Sequence, residues 1–269
     1  MQSFMEGFIL SSIVVITGRA LFPCFLWAYY PNLVCFYTLS CGPNAAIKWD
    51  LSTLSASLYA LRPIQSGEEI LKTYIDPILP RATRVATLLK NYRFSCDCPW
   101  CDVHHSSDNK STSNENPIFN PQQLTQIAAS DNNRALLVKW IFTHPGYLKW
   151  STDLCRPDDL VINGHLEALA LIDKEGLQGL QNLFTEEIAM CYAILGDEVE
   201  FRRWGERIVQ LSRVENPPLA AKFEEWLEDP PRKVKRWAWR KKQRMREFFL
   251  EALLGMQPVK IVDLRAAGT

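Results

Sequence analysis

RFSCDCPWC, residues 93–101, places three cysteines within six positions, at Cys96, Cys98 and Cys101. The whole chain has 8 cysteines in 269 residues, so this local density needs a chemical reason. Cys96 and Cys98 flank a single residue, which is too close for an unstrained disulfide. The other five cysteines lie scattered in apolar stretches and form no disulfide framework. A metal fits better, because thiolates at two- and three-residue offsets reach one ion and a closed zinc site takes four tetrahedral ligands. Three ligands are local, and a fourth is required. His104 and His105 follow closely, and three cysteines with one histidine make an accepted zinc set. They also open a polar stretch, HHSSDNKSTSNENP, where solvated histidines are the ordinary outcome. The distant alternative is Cys41, in SCGPNAAIKWD.

Upstream of the cluster, Pro80 opens a helix, PRATRVATLLKNY, with Val85, Leu88, Leu89 and Tyr92 along one face. Before it, SASLYALRPI alternates apolar and polar side chains, QSGE turns through Gly67, and EEILKTYID resumes an extended pattern. Within this β pattern, Glu68 and Glu69 read as turn and strand-edge residues. The first 47 residues differ from the rest, with no charged side chain from Ala20 to Ile47. Pro23, Pro31 and Pro43 argue against one unbroken membrane helix, and buried strands with a turn at Thr17–Gly18–Arg19 are expected instead.

Downstream, the polar stretch is a linker, and from Pro121 the pattern is helical. Phe184, Ile188, Cys191, Tyr192 and Leu195 keep helical spacing, with Gly196 as the stop. Phe201, Trp204, Ile208 and Leu211 form the stripe of the next helix, giving a helical hairpin. The expected organisation is an apolar segment over 1–35, an α+β unit over 36–101, a linker over 102–120 and a helical domain over 121–269.

Thirty basic and thirty acidic residues cancel, so no global field draws the chain to nucleic acid or an anionic membrane. Nine basic residues crowd between Arg232 and Arg246. They read as the solvated face of a helix whose Phe248, Phe249 and Leu253 pack inward. A nuclear localisation signal or a nucleic-acid contact is the sharper alternative. Few cysteines, mostly in apolar context, point to a reducing compartment, the nucleus or the cytoplasm. No stable membrane insertion is expected.

Three blocks in order, SCGPNA, ALRPIQSGEEILKTYID and YRFSCDCPWC, resemble the C-terminal half of a SET domain with its post-SET segment. SET domains are S-adenosylmethionine-dependent protein methyltransferases, and the helical region after the linker is most similar to the SMYD branch. The resemblance implies an α+β fold: a partial SET-type β-clip with a zinc-binding post-SET segment, followed by an all-α C-terminal domain. It also implies zinc held by Cys41, Cys96, Cys98 and Cys101. Tyr74 takes the position of the tyrosine that orients a substrate lysine amine. Ser40, Asn44 and Phe94 fall at the cofactor. The implied cofactors are zinc and S-adenosylmethionine, and the implied partner is a protein, histone or non-histone. The chain departs from the family where the family has Asn and His before Ser-Cys, since it carries Thr38 and Leu39. It also has no glycine-rich cofactor loop before Cys41. Two function classes follow: a methyltransferase that is truncated or impaired as written, or a catalytically inactive, zinc-pinned interaction module.

Overall fold

The computed structural model describes residues 14–16, 38–53, 55–101 and 120–254. The predicted linker, His104, His105 and most of the apolar N-terminal segment lie outside the described residues. Strand β1 (Val14–Ile16) pairs antiparallel with β4 (Ser55–Ala60), which pairs antiparallel with β3 (Ala45–Asp50). Two shorter strands, β2 (Thr38–Leu39) and β5 (Leu71–Lys72), run parallel. The turn between β3 and β4 is held by Asp50, whose carboxylate accepts from Ser52 N at 2.9 Å and from the Ser52 hydroxyl at 2.6 Å.

Helix α1 (Arg81–Tyr92) begins immediately after Pro80, as its sequence requires. It ends on Arg93 in the left-handed conformation, with φ 61°, and so turns the chain directly into the cysteine loop. Of its predicted apolar face, Leu88 is fully buried, but Leu89 and Tyr92 are exposed and Arg84 is buried instead.

The second half is helical: α2 (Pro121–Thr143), α3 (Gly146–Thr152), α4 (Leu160–Glu175), a 3-10 turn (Gln178–Leu180), α5 (Asn182–Leu195), α6 (Glu198–Glu215), α7 (Pro217–Glu228), α8 (Pro230–Lys233) and α9 (Trp239–Leu254). Asn120 and Gln123 form a reciprocal capping box at the start of α2. Gly196 closes α5 at φ +75°, and Asp197 caps α6 by accepting from Glu200 N, so the predicted hairpin is present. Its core contains Phe184, Ile188, Phe201, Trp204 and Ile208. Sheet, four-cysteine cluster and helical half together make an α+β protein.

Polar contacts, several of them buried, seat the helical half against the β half. Arg134 of α2 donates to Pro77 O and pairs with Glu175 at 3.3 Å, and Ser130 and Asn133 complete the carboxylate's partners. Gln181 Nε2 donates to Leu61 O at 2.9 Å, and Lys48 Nζ reaches Val214 O and Glu215 O at 2.9 and 2.7 Å. Arg240 is fully buried and donates to Asp158 and to the carbonyls of Trp150, Asp153 and Arg156. Phe248 and Phe249 face outward, at 67% and 58% exposure, contrary to the inward packing their spacing implies. Among the described residues, no helix is long and apolar enough to cross a membrane.

Candidate metal centre and adjoining pocket

Cys41 sits in the loop between β2 and β3, and Cys96, Cys98 and Cys101 lie in the loop that follows α1. All four are buried, and their sulfurs lie within 4.8 Å of one another. Cys41 Sγ is 3.4 Å from Cys101 Sγ and 4.0 Å from Cys96 Sγ. A tetrahedral zinc ion with Zn–S near 2.3 Å separates its sulfurs by about 3.8 Å, so the cluster has the dimensions of that ion. Hydrogen bonding with Cys101 first, then with the other thiols, pushes the Cys41 thiol well above its ordinary value and that of Cys98 well below. Four such thiolates would close the coordination shell of a zinc ion, the arrangement of a structural site with no position left for substrate.

Two neighbours of the cluster carry little signal in the sequence. Arg84, fully buried, donates to Leu79 O at 2.5 Å and Trp100 O at 3.0 Å, and its Nη2 lies 3.9 Å from Cys101 Sγ. Its position four residues before Leu88, on the same face, is the only sequence hint. Trp100 is wedged between two glycines. A Cβ on Gly42 would come within 2.2 Å of its ring, and one on Gly176, where φ is +66°, within 2.5 Å. The ring thus joins the cysteine loops to the end of α4.

Ser40 is buried, and its Oγ accepts from Gly42 N at 3.1 Å. Asn44 is fully buried and turned to the protein's own backbone. Its amide donates to Glu68 Oε1 at 3.1 Å and Glu69 O at 2.8 Å, and its oxygen accepts from Leu71 N at 2.7 Å. Glu68 in turn takes Arg62 and Gln65 N, so the residue read as a turn element is the turn's anchor. Arg62, then the Gln65 amide, then Asn44 hold its carboxyl down at about 2. Phe94 packs against the cysteine cluster beside Leu39 and Tyr74.

Tyr74 is half-buried and stacks on Tyr92 at 5.2 Å between centroids, while Lys72 Nζ lies 4.5 Å from the centroid of its ring. Tyr92 donates its hydroxyl to Tyr74 O at 3.3 Å. Its helical spacing alone marks it as one more apolar-face residue. Tyr74 and Lys72 line a cavity of about 510 Å³ with Trp49, Tyr59, Leu61 and Leu177.

His144, His165 and Glu187 form a second gathering of potential ligands, on α4, α5 and the α2–α3 junction. Trp140 Nε1 donates to His165 Nδ1 at 3.0 Å, and Gly146 N donates to His144 Nδ1 at 3.2 Å. His165 Nε2 is buried without a hydrogen-bond partner and lies 3.8 Å from Glu187 Oε2.

An α+β protein with four converging thiols of zinc-site dimensions is therefore the class that fold and site define. No protein-family model matches the chain. SET domain and MYND-type zinc finger protein 6 of Schizosaccharomyces pombe is 37% identical over 76 residues, 28% of this chain and 15% of that protein. Histone-lysine N-methyltransferase set5 of the same organism is 38% identical over 63 residues, 23% of this chain and 20% of that one. N-lysine methyltransferase SMYD2-A of Danio rerio is 28% identical over 195 residues, 72% of this chain and 42% of that protein. The chain spans less than half the length of each of these relatives. It is a SMYD-like relative of the SET-domain methyltransferases.

Proposed function

We propose that this chain is a SET-derived protein whose Cys41, Cys96, Cys98 and Cys101 hold one structural zinc ion and whose methyl-transfer apparatus is impaired as written. The convergence of the four sulfurs within 4.8 Å carries the reading. Zinc ties the loop after α1 to the loop before β3, and so fixes Phe94 and the cavity wall beside Tyr74. Purified protein is expected to contain about one zinc per chain, following the four-ligand rule. Cys41→Ser and Cys98→Ser should lower zinc content alike. Retention by Cys41→Ser, with release on loss of both His104 and His105, would overturn the ligand set.

S-adenosylmethionine fits these residues poorly. Both amide hydrogens of Asn44 are committed to Glu68 and Glu69, and the side chain of Leu39 has no hydrogen bond to offer. The relatives' names nonetheless describe lysine methyltransferases, and the resemblance of GEEILKTY is what assigns Tyr74 the place of the lysine-orienting tyrosine. Binding of a protein, histone or non-histone, through the helical half and the cavity is the function that these features support, with catalysis negligible. Few cysteines, mostly in apolar context, support residence in the nucleus or the cytoplasm. The neutral whole argues against nucleic acid as the main partner. Titration calorimetry with S-adenosylmethionine separates the two classes. Robust labelled-methyl transfer to protein that disappears in Tyr74→Phe would show a working enzyme instead.

A further inference from the structure

We propose that the outward face of α9 docks, peripherally and reversibly, on an anionic phospholipid surface. The proposal rests on α9 and goes beyond the zinc-pinned reading. Met245, Phe248, Phe249 and Ala252 recur at the spacing of one helix face, and all four are exposed. The two phenylalanine rings lie edge to face, with centroids 6.2 Å apart. Lys241 and Lys242 stand one turn earlier on the same side, both exposed. The opposite side carries Arg240, buried, and Arg244, and both pair with Asp158. Glu247 and Glu251 continue that side, so the acids of the helix lie away from the apolar stripe.

Charge identifies the partner. From Pro230 to Arg246 the chain has nine basic residues and no acidic one. Arg232, Lys233, Arg240 and Arg244 are neutralised by Asp229, Glu228 and Asp158. Lys235, Arg236, Lys241, Lys242 and Arg246 are exposed and pair with no carboxylate among the described residues. Cations beside exposed phenylalanines suit the boundary of an anionic bilayer, where acidic headgroups lie directly above acyl chains. Residues 244–252 are exposed all round the helix, so this end of α9 is convex and offers a peptide no groove. Nucleic acid would satisfy the cations and leave the apolar stripe in water. Among the described residues no helix can cross a bilayer, and this contact needs none to do so.

The test is cosedimentation of the full chain with large vesicles of phosphatidylcholine, alone or with about a third phosphatidylserine. Partition into the mixed vesicles should exceed that into phosphatidylcholine about 100-fold or more, and should fall as salt is added. Lys241→Gln, Lys242→Gln and Arg246→Gln together should lower it about 100-fold, since each cation near such a surface contributes about fivefold. Phe248→Ser with Phe249→Ser leaves the charge alone and should lower it about tenfold or more. All five positions are exposed, and the unfolding midpoint of each variant verifies its fold. No preference for the mixed vesicles, or wild-type binding by either folded variant, overturns the proposal. So does tighter binding of a DNA duplex or of a polyglutamate peptide, which would assign the cations to nucleic acid or to an acidic protein. A chain found without zinc sinks the reading of the four cysteines and leaves the vesicle comparison intact.

Discussion

Replacing Arg84 by Met should weaken zinc binding about 10- to 100-fold, equal to about 1.4–2.7 kcal/mol. The reason is charge. A zinc ion with four thiolates carries a formal charge of about −2, and burying it without a counter-ion is costly. Arg84 is the fully buried cation at the cluster, with Nη2 3.9 Å from Cys101 Sγ. At that distance the gross attraction is about 4 kcal/mol for an effective dielectric constant near 20, and desolvation of the guanidinium consumes part of it. Arg84 also donates to Leu79 O and Trp100 O, so it orients the loop that carries three of the ligands. Met keeps the apolar stem while removing the charge and the guanidinium's donors. Arg84→Lys keeps the charge and loses the fork, and should fall between the two. Competition with a chromophoric zinc chelator measures all three proteins. If folded Arg84→Met holds zinc within about threefold of the wild type, the counter-ion account is wrong, because it requires at least about tenfold.

Arg240→Ala strands three carbonyls inside the helical half, while Asp158 keeps Arg244, and should cost about 2–4 kcal/mol in urea unfolding. Arg244→Ala, at a half-exposed pair with the same Asp158, should cost no more than about 1 kcal/mol, and equal effects would refute the clamp. The Glu68 carboxyl is depressed from 4.5 to about 2, so its contribution to stability is complete above about pH 4.5 and is lost as the pH falls through about 2. Glu68→Gln should flatten that acid limb of the unfolding profile, and an unchanged limb would place the acid sensitivity elsewhere. Gly42→Ala drives a methyl into the Trp100 ring and should destabilise the fold by about 1–3 kcal/mol, read as a lowered thermal midpoint.

Much of this architecture is legible in the sequence where period and punctuation agree. Pro80 and the stripe after it mark α1, and Gly196 between two stripes marks the α5–α6 turn. The three local cysteines announce a metal, whereas Cys41 enters only through the likeness of SCGPNA to a known motif. What escapes is polar and buried. An arginine in an amphipathic pattern reads as a solvated face, yet Arg84, Arg134 and Arg240 each satisfy backbone carbonyls that no local pattern reveals. Arg240 finds its carboxylate, Asp158, 82 residues away in sequence. Asn44 escapes for the same reason: its partners Glu68, Glu69 and Leu71 lie 24 to 27 positions away.

The wedged Trp100 has a consequence for the order in which the chain assembles. Cys41 and Cys96 are 55 residues apart, and joining them closes a long loop whose entropic cost must be met before its contacts help. Trp100 finds its slot against Gly42 only when that loop is closed, and against Gly176 only when α4 has ended in place. The indole is therefore a checkpoint between two folding units. A nascent chain starved of metal should stall with a formed helical hairpin and an unseated tryptophan, and a chelator should act as a switch on when the two halves join.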